Sequence, residues 1–176
     1  MDRQKFSVAM SVYGKDNPIW FKTAVDSILN QTFQDFEILL VDDGSRDGTL
    51  HNLRKLFQAQ KCPVKVINFS RNFGKEAGIY AGMKVASGEY ISLIDADLQQ
   101  RPEIVRDMVQ ILDDKVEYDV VAAYQNRRGE GKILSFFKNC FYKIINKLSN
   151  VALKKDASDF RTFRRSVAQS ILDLQE

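Results

Sequence analysis

The chain has 176 residues, of which 44% are hydrophobic and 28% charged, with nine glycines and three prolines; this fits one domain that buries roughly 70% of its unfolded surface and excludes disordered and collagen-like classes. Its two cysteines, Cys62 and Cys140, lie far apart without a C-x-x-C spacing, which argues against a disulfide framework or a thiolate zinc site and for a reducing compartment. No run approaches the roughly 18 apolar residues of a membrane span, and MDRQKFSVAM leads into a strand without a signal-peptide core, so a soluble or peripheral protein is expected.

The segment FSVAMSVY (6–13) is short, apolar and rich in β-formers, and it is followed by Gly14, Asp16, Asn17 and Pro18 and then a helical pattern of Ile19, Phe21, Ala24, Val25, Ile28 and Leu29. The spacing predicts strand, loop and helix. The unit recurs as strand FEILLV (36–41), turn DDGSRDG and a helix from Thr49 through Phe57. It recurs again as strand VKVINF (64–69), loop SRNFG and a helix from about Lys75 to Ala86. A fourth strand, YISLID (90–95), precedes a helix starting near Pro102, a favoured first helical position, and DVVAAY (119–124) is a fifth strand candidate. Alternation of this kind predicts an α/β fold with a mainly parallel central sheet flanked by helices.

Beyond Tyr124 the pattern changes. QNRRGEGK is a polar loop, and KILSFFKNCFYKIINKL (132–148) has the spacing of an amphipathic helix with Lys138, Lys143 and Lys147 off its apolar stripe. That disposition suits a membrane interface, or a helix packed on the domain with a wet lysine face. Net charge is +3, but residues 1–130 carry 17 basic against 19 acidic side chains, whereas 131–176 carry 9 against 4. The expected organisation is a core at 1–130 and a basic acceptor-side segment of the same domain at 131–176.

In open α/β sheets ligands bind outside the carboxyl ends of the strands. Here those ends carry Asp42–Asp47, Ser70–Gly74 and Asp95–Gln99. Asp42 and Asp43 could meet a ligand's hydroxyls, base edge or metal, or could simply serve the turn. Asp95, Asp97 and Gln99 would share one side of an extended strand end. Their oxygen-only donor set suits Mg²⁺ or Mn²⁺, the alternative being a helix N-cap before Pro102. No G-x-x-x-x-G-K-[ST] is present, and Gly74, Gly78 and Gly82 do not form a dinucleotide fingerprint. His51, the only histidine, falls in a helix and supports no catalytic triad. Basic-aromatic nucleic-acid platforms are not evident.

The motifs SVYGKD, ILNQTFQDFEILLVDDGSRDGT and LIDADLQQRPE resemble, in order and spacing, those of the family 2 glycosyltransferases, which have the GT-A nucleotide-diphospho-sugar transferase fold. From Asn68 onward, SRNFGKEAGIYAGMKVASGEYISLIDADLQQRPE, RRGEG, FYKIIN and SDFRTFRR are similar to the polyprenyl-phosphate group that includes dolichol-phosphate mannose synthase and bactoprenol glucosyltransferase. The resemblance implies donor contacts from Ser11, Tyr13, Asp42, Asp43, Arg71, Lys75 and Asp95, with Asp42 at the base. It implies metal and diphosphate binding by Asp95, Asp97 and Gln99, acceptor-phosphate contacts from Arg127, Arg128 and Arg161, and catalytic parts for Asp97 and for Asp159, which could assist deprotonation. An anionic acceptor phosphate needs little general-base help, so positioning and charge compensation would carry most of the rate.

This sequence departs from that group at Gln100 and Arg101, where Asp-Pro is usual, and at Gln125, where an arginine is expected. Its first third is closer to transferases that extend polysaccharides. The expectation is therefore inverting transfer of a hexose from a UDP- or GDP-sugar to polyprenyl phosphate, peripherally at the cytoplasmic face of the membrane. A saccharide acceptor is the alternative, and a nucleotide-sugar-binding module inactive in isolation is a third reading. Members of the lipid-phosphate group continue past this length, so a truncated chain is expected. No nucleic acid is implied, and a homo-oligomer is left open.

Overall fold

The computed structural model describes residues 5–12, 18–46, 48, 51, 62–124 and 157–174. The elements are β1 (Phe6–Val12), α1 (Pro18–Leu29), β2 (Phe36–Asp42), β3 (Val64–Asn68), α2 (Lys75–Val85), β4 (Tyr90–Leu93), α3 (Ile104–Asp114), β5 (Val120–Tyr124), β6 (Ala157–Arg164) and α4 (Arg165–Leu172). The chain divides into two compact units, Met1–Val121 with Phe160–Glu176, and Ala122–Asp159.

Six strands form one sheet in the order β3-β2-β1-β4-β6-β5. β1 pairs in parallel with both β2 and β4, β2 pairs in parallel with β3, and β6 runs antiparallel to β4. The mainly parallel α/β architecture expected from the alternation is present. Strand order reverses between β1 and β4, the position at which such sheets open a ligand crevice.

Every residue of β2 is buried, as a strand covered on both faces requires. One of them is Glu37, 1% exposed. Its Oε1 accepts hydrogen bonds from the Ser7 and Ser87 hydroxyls, each at 2.7 Å, and from the Ser87 amide, while Lys65 Nζ lies 2.8 Å from Oε2. Burial alone would raise this carboxyl's pKa, but the Lys65, Ser7 and Ser87 donors outweigh it and hold the pKa below its ordinary value of 4.5.

Helix α2 lies close on β1 because two glycines face the sheet. A Cβ at Gly82 would stand 3.2 Å from the Ala9 Cβ, and one at Gly78 only 2.7 Å from the Ser11 hydroxyl. Beneath α2 a core of Ala9, Leu39, Met83, Ala86 and Ile91 is completed by Phe163 of β6 and Ala168 of α4.

Three differences from the sequence expectations bear on the site. β4 ends at Leu93, so Asp95–Gln99 is not a continuation of the strand and its residues do not alternate as an extended end would. Residues 96 and 97 form a turn, and Leu98 has φ +62°, a left-handed backbone uncommon for a non-glycine residue. SDFRTFRR, expected only as a motif, contains a strand. Third, α3 begins at Ile104, with Pro102 and Glu103 in the preceding turn. The helix expected over 49–57 falls mostly outside the described residues, though His51 is exposed. The amphipathic stretch 132–148 lies wholly outside them.

Candidate active site at the carboxyl edge of the sheet

The carboxyl ends of β1 and β2 are tied together at the last rung, where the Asp43 amide donates to the Val12 carbonyl at 2.8 Å. β2 and β3 are joined similarly, the Phe69 amide donating to the Asp42 carbonyl at 2.9 Å. Asp42 and Asp43 therefore leave the sheet from a fixed backbone, and their side chains meet different partners.

The Asp42 side chain is fully buried. Its Oδ1 accepts the Ser45 amide at 3.0 Å in an Asx turn. Its Oδ2, and the buried Ser45 hydroxyl nearby in sequence, have no hydrogen-bond partner among the described residues. A buried carboxylate oxygen without a donor is costly, which makes this position suited to a donor arriving from outside.

Asp43 is also buried, but both its oxygens are engaged. Oδ1 accepts the Phe73 amide at 2.7 Å and Oδ2 the Gly74 amide at 3.0 Å. Gly74, with φ +96°, is the N-cap of α2 and carries no side-chain cap, so Asp43 satisfies an amide at the helix start from another loop. Both acceptors of Asp43, a residue expected to contact the donor, face these backbone amides, so its carboxylate holds the loop after β3 against the loop after β2.

Gly44 makes the two loops inseparable. Its φ is +74°, and a Cβ there would stand 2.3 to 2.7 Å from the backbone of Arg71. The Arg71 guanidinium stacks 4.7 Å over the Phe73 ring, leaving an exposed cation beside the Asp42 turn.

The acidic loop after β4 is joined to the same assembly by Lys75. Its ammonium lies 2.9 Å from Asp95 Oδ1 and 3.1 Å from Oδ2. Gln100 closes the loop: its Nε2 donates to Asp95 Oδ2 at 2.8 Å, and its Oε1 accepts the Asp95 amide at 2.8 Å. Gln100 was not anticipated as a site residue; only its departure from the resembling group marked it. Asp97 is exposed and accepts the Gln99 amide on Oδ1 at 3.0 Å, while Gln99 is itself exposed. The structure thus brings Asp42, Asp43, Arg71, Lys75 and Asp95 into one run of linked loops.

Of the other expected residues, Ser11 is half-buried with its hydroxyl against Gly78. Arg161 is paired in register with Leu93, the last residue of β4, and so stands on the strand beside the acidic loop. Asp159 is exposed near the start of β6. Tyr13, Arg127 and Arg128 lie outside the described residues.

Among the described residues no group of three or more His, Cys, Asp or Glu side chains gathers as a metal centre. The set Asp95, Asp97 and Gln99 contains two carboxylates and an amide. Its chemistry fits a hard divalent cation that keeps water or phosphate oxygens as further ligands, and the Asp95 carboxylate already draws a cation, the Lys75 ammonium.

The model of the family described as Glycosyl transferase family 2 matches residues 7–172. A Bacillus subtilis protein, CsbB, is 39% identical over 81% of this chain and 42% of its own length. An Escherichia coli protein named as a prophage bactoprenol glucosyl transferase homolog is 30% identical over 95% of this chain and 54% of its own. The chain therefore spans about half the length of the curated relatives it matches. Among solved structures, the Pyrobaculum calidifontis mannosyltransferase PcManGT in complex with GDP-Man and Mn²⁺ aligns with a TM-score of 0.68 at 17% identity, over 97% of this chain and 47% of that one. That likeness shows a shared GT-A fold.

Proposed function

We propose, because this chain belongs to glycosyl transferase family 2, that it moves a hexose from a UDP- or GDP-sugar to polyprenyl phosphate with inversion. The observation that carries the donor half of this reading is the buried Oδ2 of Asp42 at the carboxyl end of β2, which has no hydrogen-bond partner among the described residues. Uracil and guanine both present ring N–H donors that such an acceptor can take, and Ser45 can share the contact. Arg71, exposed on its Phe73 platform, suits the diphosphate, as an arginine fork does.

Asp95 and Asp97, with Gln99 beside them, would hold Mg²⁺ or Mn²⁺. The ion would supply charge neutralisation of the diphosphate and of the departing nucleoside diphosphate. The chain's own residues fix the donor: Asp43 locks the loop that carries Arg71 and leads into α2 at Lys75, and Gln100 locks Asp95. Arg161, on β6 opposite the end of β4, with Arg127 and Arg128, would hold the acceptor phosphate, and Asp159 would assist at its oxygen.

The E. coli relative's name supports a polyprenyl phosphate as acceptor, and with it peripheral work at the cytoplasmic membrane face. Among the described residues no helix is long and apolar enough to cross a membrane.

Calorimetry with UDP and GDP in the presence of Mn²⁺ tests the donor half. Asp42→Ala is expected to abolish nucleotide binding while the far-ultraviolet circular dichroism stays unchanged; undiminished binding would remove the reading. Radiolabelled donor sugars offered to the full-length protein with polyprenyl phosphate test the acceptor half. Label on a glycan and never on lipid would favour a saccharide acceptor, and metal-dependent binding with neither transfer nor hydrolysis would mark a binding module.

A further inference from the structure

Lys75 is the first residue of α2, and its ammonium engages both oxygens of Asp95. Gln100 grips the same residue on the side-chain Oδ2 and on the backbone amide. Asp97, by contrast, is exposed and accepts the amide of Gln99 within its own loop. The two carboxylates expected to share a metal are therefore prepared differently: one is already charge-neutralised and held from two sides, the other faces water.

We propose that Lys75 is a place-holding cation for the divalent metal: it neutralises Asp95 in the ligand-free protein and passes to the donor's diphosphate when metal and nucleotide arrive together, with Gln100 holding the carboxylate in place. This rests on the metal-dependent reading above and deepens it by making metal and nucleotide binding interdependent.

An ammonium and a divalent ion on one carboxylate repel each other, so metal alone must displace Lys75 or bind against its charge. A lysine is a compact charge on a flexible stem, able to exchange a carboxylate for a phosphate oxygen without the fixed planar geometry an arginine would demand. Gln100 is a positioning residue here. It is neutral and so adds nothing to the charge competition, but its paired hydrogen bonds keep Asp95 aimed after the ammonium leaves.

The test reads metal binding directly. Free Mn²⁺ is followed by electron paramagnetic resonance, for the protein alone and with saturating UDP or, in parallel, GDP. For the unaltered chain Mn²⁺ alone should bind weakly, and nucleotide should strengthen it; by linkage Mn²⁺ strengthens nucleotide binding by the same factor. Lys75→Met is expected to bind Mn²⁺ alone roughly tenfold more tightly, and the strengthening by nucleotide should shrink by at least that factor. Lys75→Arg keeps the charge and should leave metal-alone binding weak, and it is this contrast between the Met and Arg variants that a purely packing part for Lys75 would not give. Gln100→Leu should weaken Mn²⁺ binding with and without nucleotide alike. If Lys75→Met binds Mn²⁺ alone no more tightly than the unaltered chain, the place-holder is wrong. An unaltered chain that binds Mn²⁺ yet neither nucleotide would instead sink the donor reading, and one that binds no Mn²⁺ sinks both.

Discussion

Glu37 is a carboxylate buried in the middle of the sheet, far in sequence from every partner it has, and replacing it by leucine should be among the costliest single changes outside the site. Leucine fits the apolar surroundings of β2 but accepts nothing. The Ser87 amide and the Ser7 and Ser87 hydroxyls would lose their acceptor, while Ser7 would still accept the Gly88 amide at 2.8 Å. Each buried donor left unsatisfied costs about 1 to 3 kcal/mol, but hydroxyls can rotate, so the amide dominates. Lys65 is 45% exposed along its side chain and can return to water, so its lost ion pair adds well under 1 kcal/mol. The expected total is about 3 kcal/mol at neutral pH, a fall of roughly 1.5 M in the urea midpoint for a slope near 2 kcal/mol per M.

The pH dependence gives an independent check. The folded-state pKa of Glu37 is lowered, so its contribution is fully present above the ordinary value of 4.5 and is lost as pH falls through the depressed folded value. Urea unfolding followed by circular dichroism at a series of pH values from 7 downward should show the unaltered chain losing stability below that point more steeply than Glu37→Leu. A loss under about 1 kcal/mol at pH 7, or parallel pH curves, would refute the reasoning.

The site yields two further expectations. Gly44→Ala should lower thermal stability by several degrees and weaken nucleotide binding, because the new Cβ meets the Arg71 backbone. Gly48→Ala has a similar φ of +83° but nothing within 4 Å, so it should cost only the backbone term of about 1 kcal/mol; equal melting shifts for the two would remove the close-approach argument. Asp43→Ala should cost about 2 kcal/mol by leaving the Phe73 and Gly74 amides unpaired and should weaken nucleotide binding measured by calorimetry. Asp43→Asn, which keeps one acceptor, should fall between.

The four parallel strands were legible because each is a short apolar run ending in a turn, and both the hydrophobic pattern and the turn chemistry are local. β6 was not. Its buried residues, Phe160, Thr162 and Phe163, are interleaved with Arg161 and Arg164, and nothing local says that this polar stretch lies beside β4. Glu37 was hidden for the same reason: a glutamate in an apolar run is tolerable only because Ser7, Lys65 and Ser87 converge on it. At the site, the pairing of neighbouring aspartates suggested that Asp42 and Asp43 do similar work. Their partners differ: Asp42 turns back on the Ser45 amide of its own loop, whereas Asp43 accepts the Phe73 and Gly74 amides of the next one. The Asp95–Gln99 row failed as a geometric expectation because the strand stops two residues before it, and a left-handed Leu98 bends the backbone within it.

The contact between Gly44 and Arg71 also sets a rule for re-engineering. Since the loop after β2 has no clearance over the loop after β3, and Asp43 bonds the second loop's amides, neither can be exchanged alone for a counterpart of different length or donor preference. The smallest transplantable unit is the pair, together with the first turn of α2 that carries Lys75. A chimera that swaps only one of them would inherit a mismatch in the backbone before any question of substrate arose.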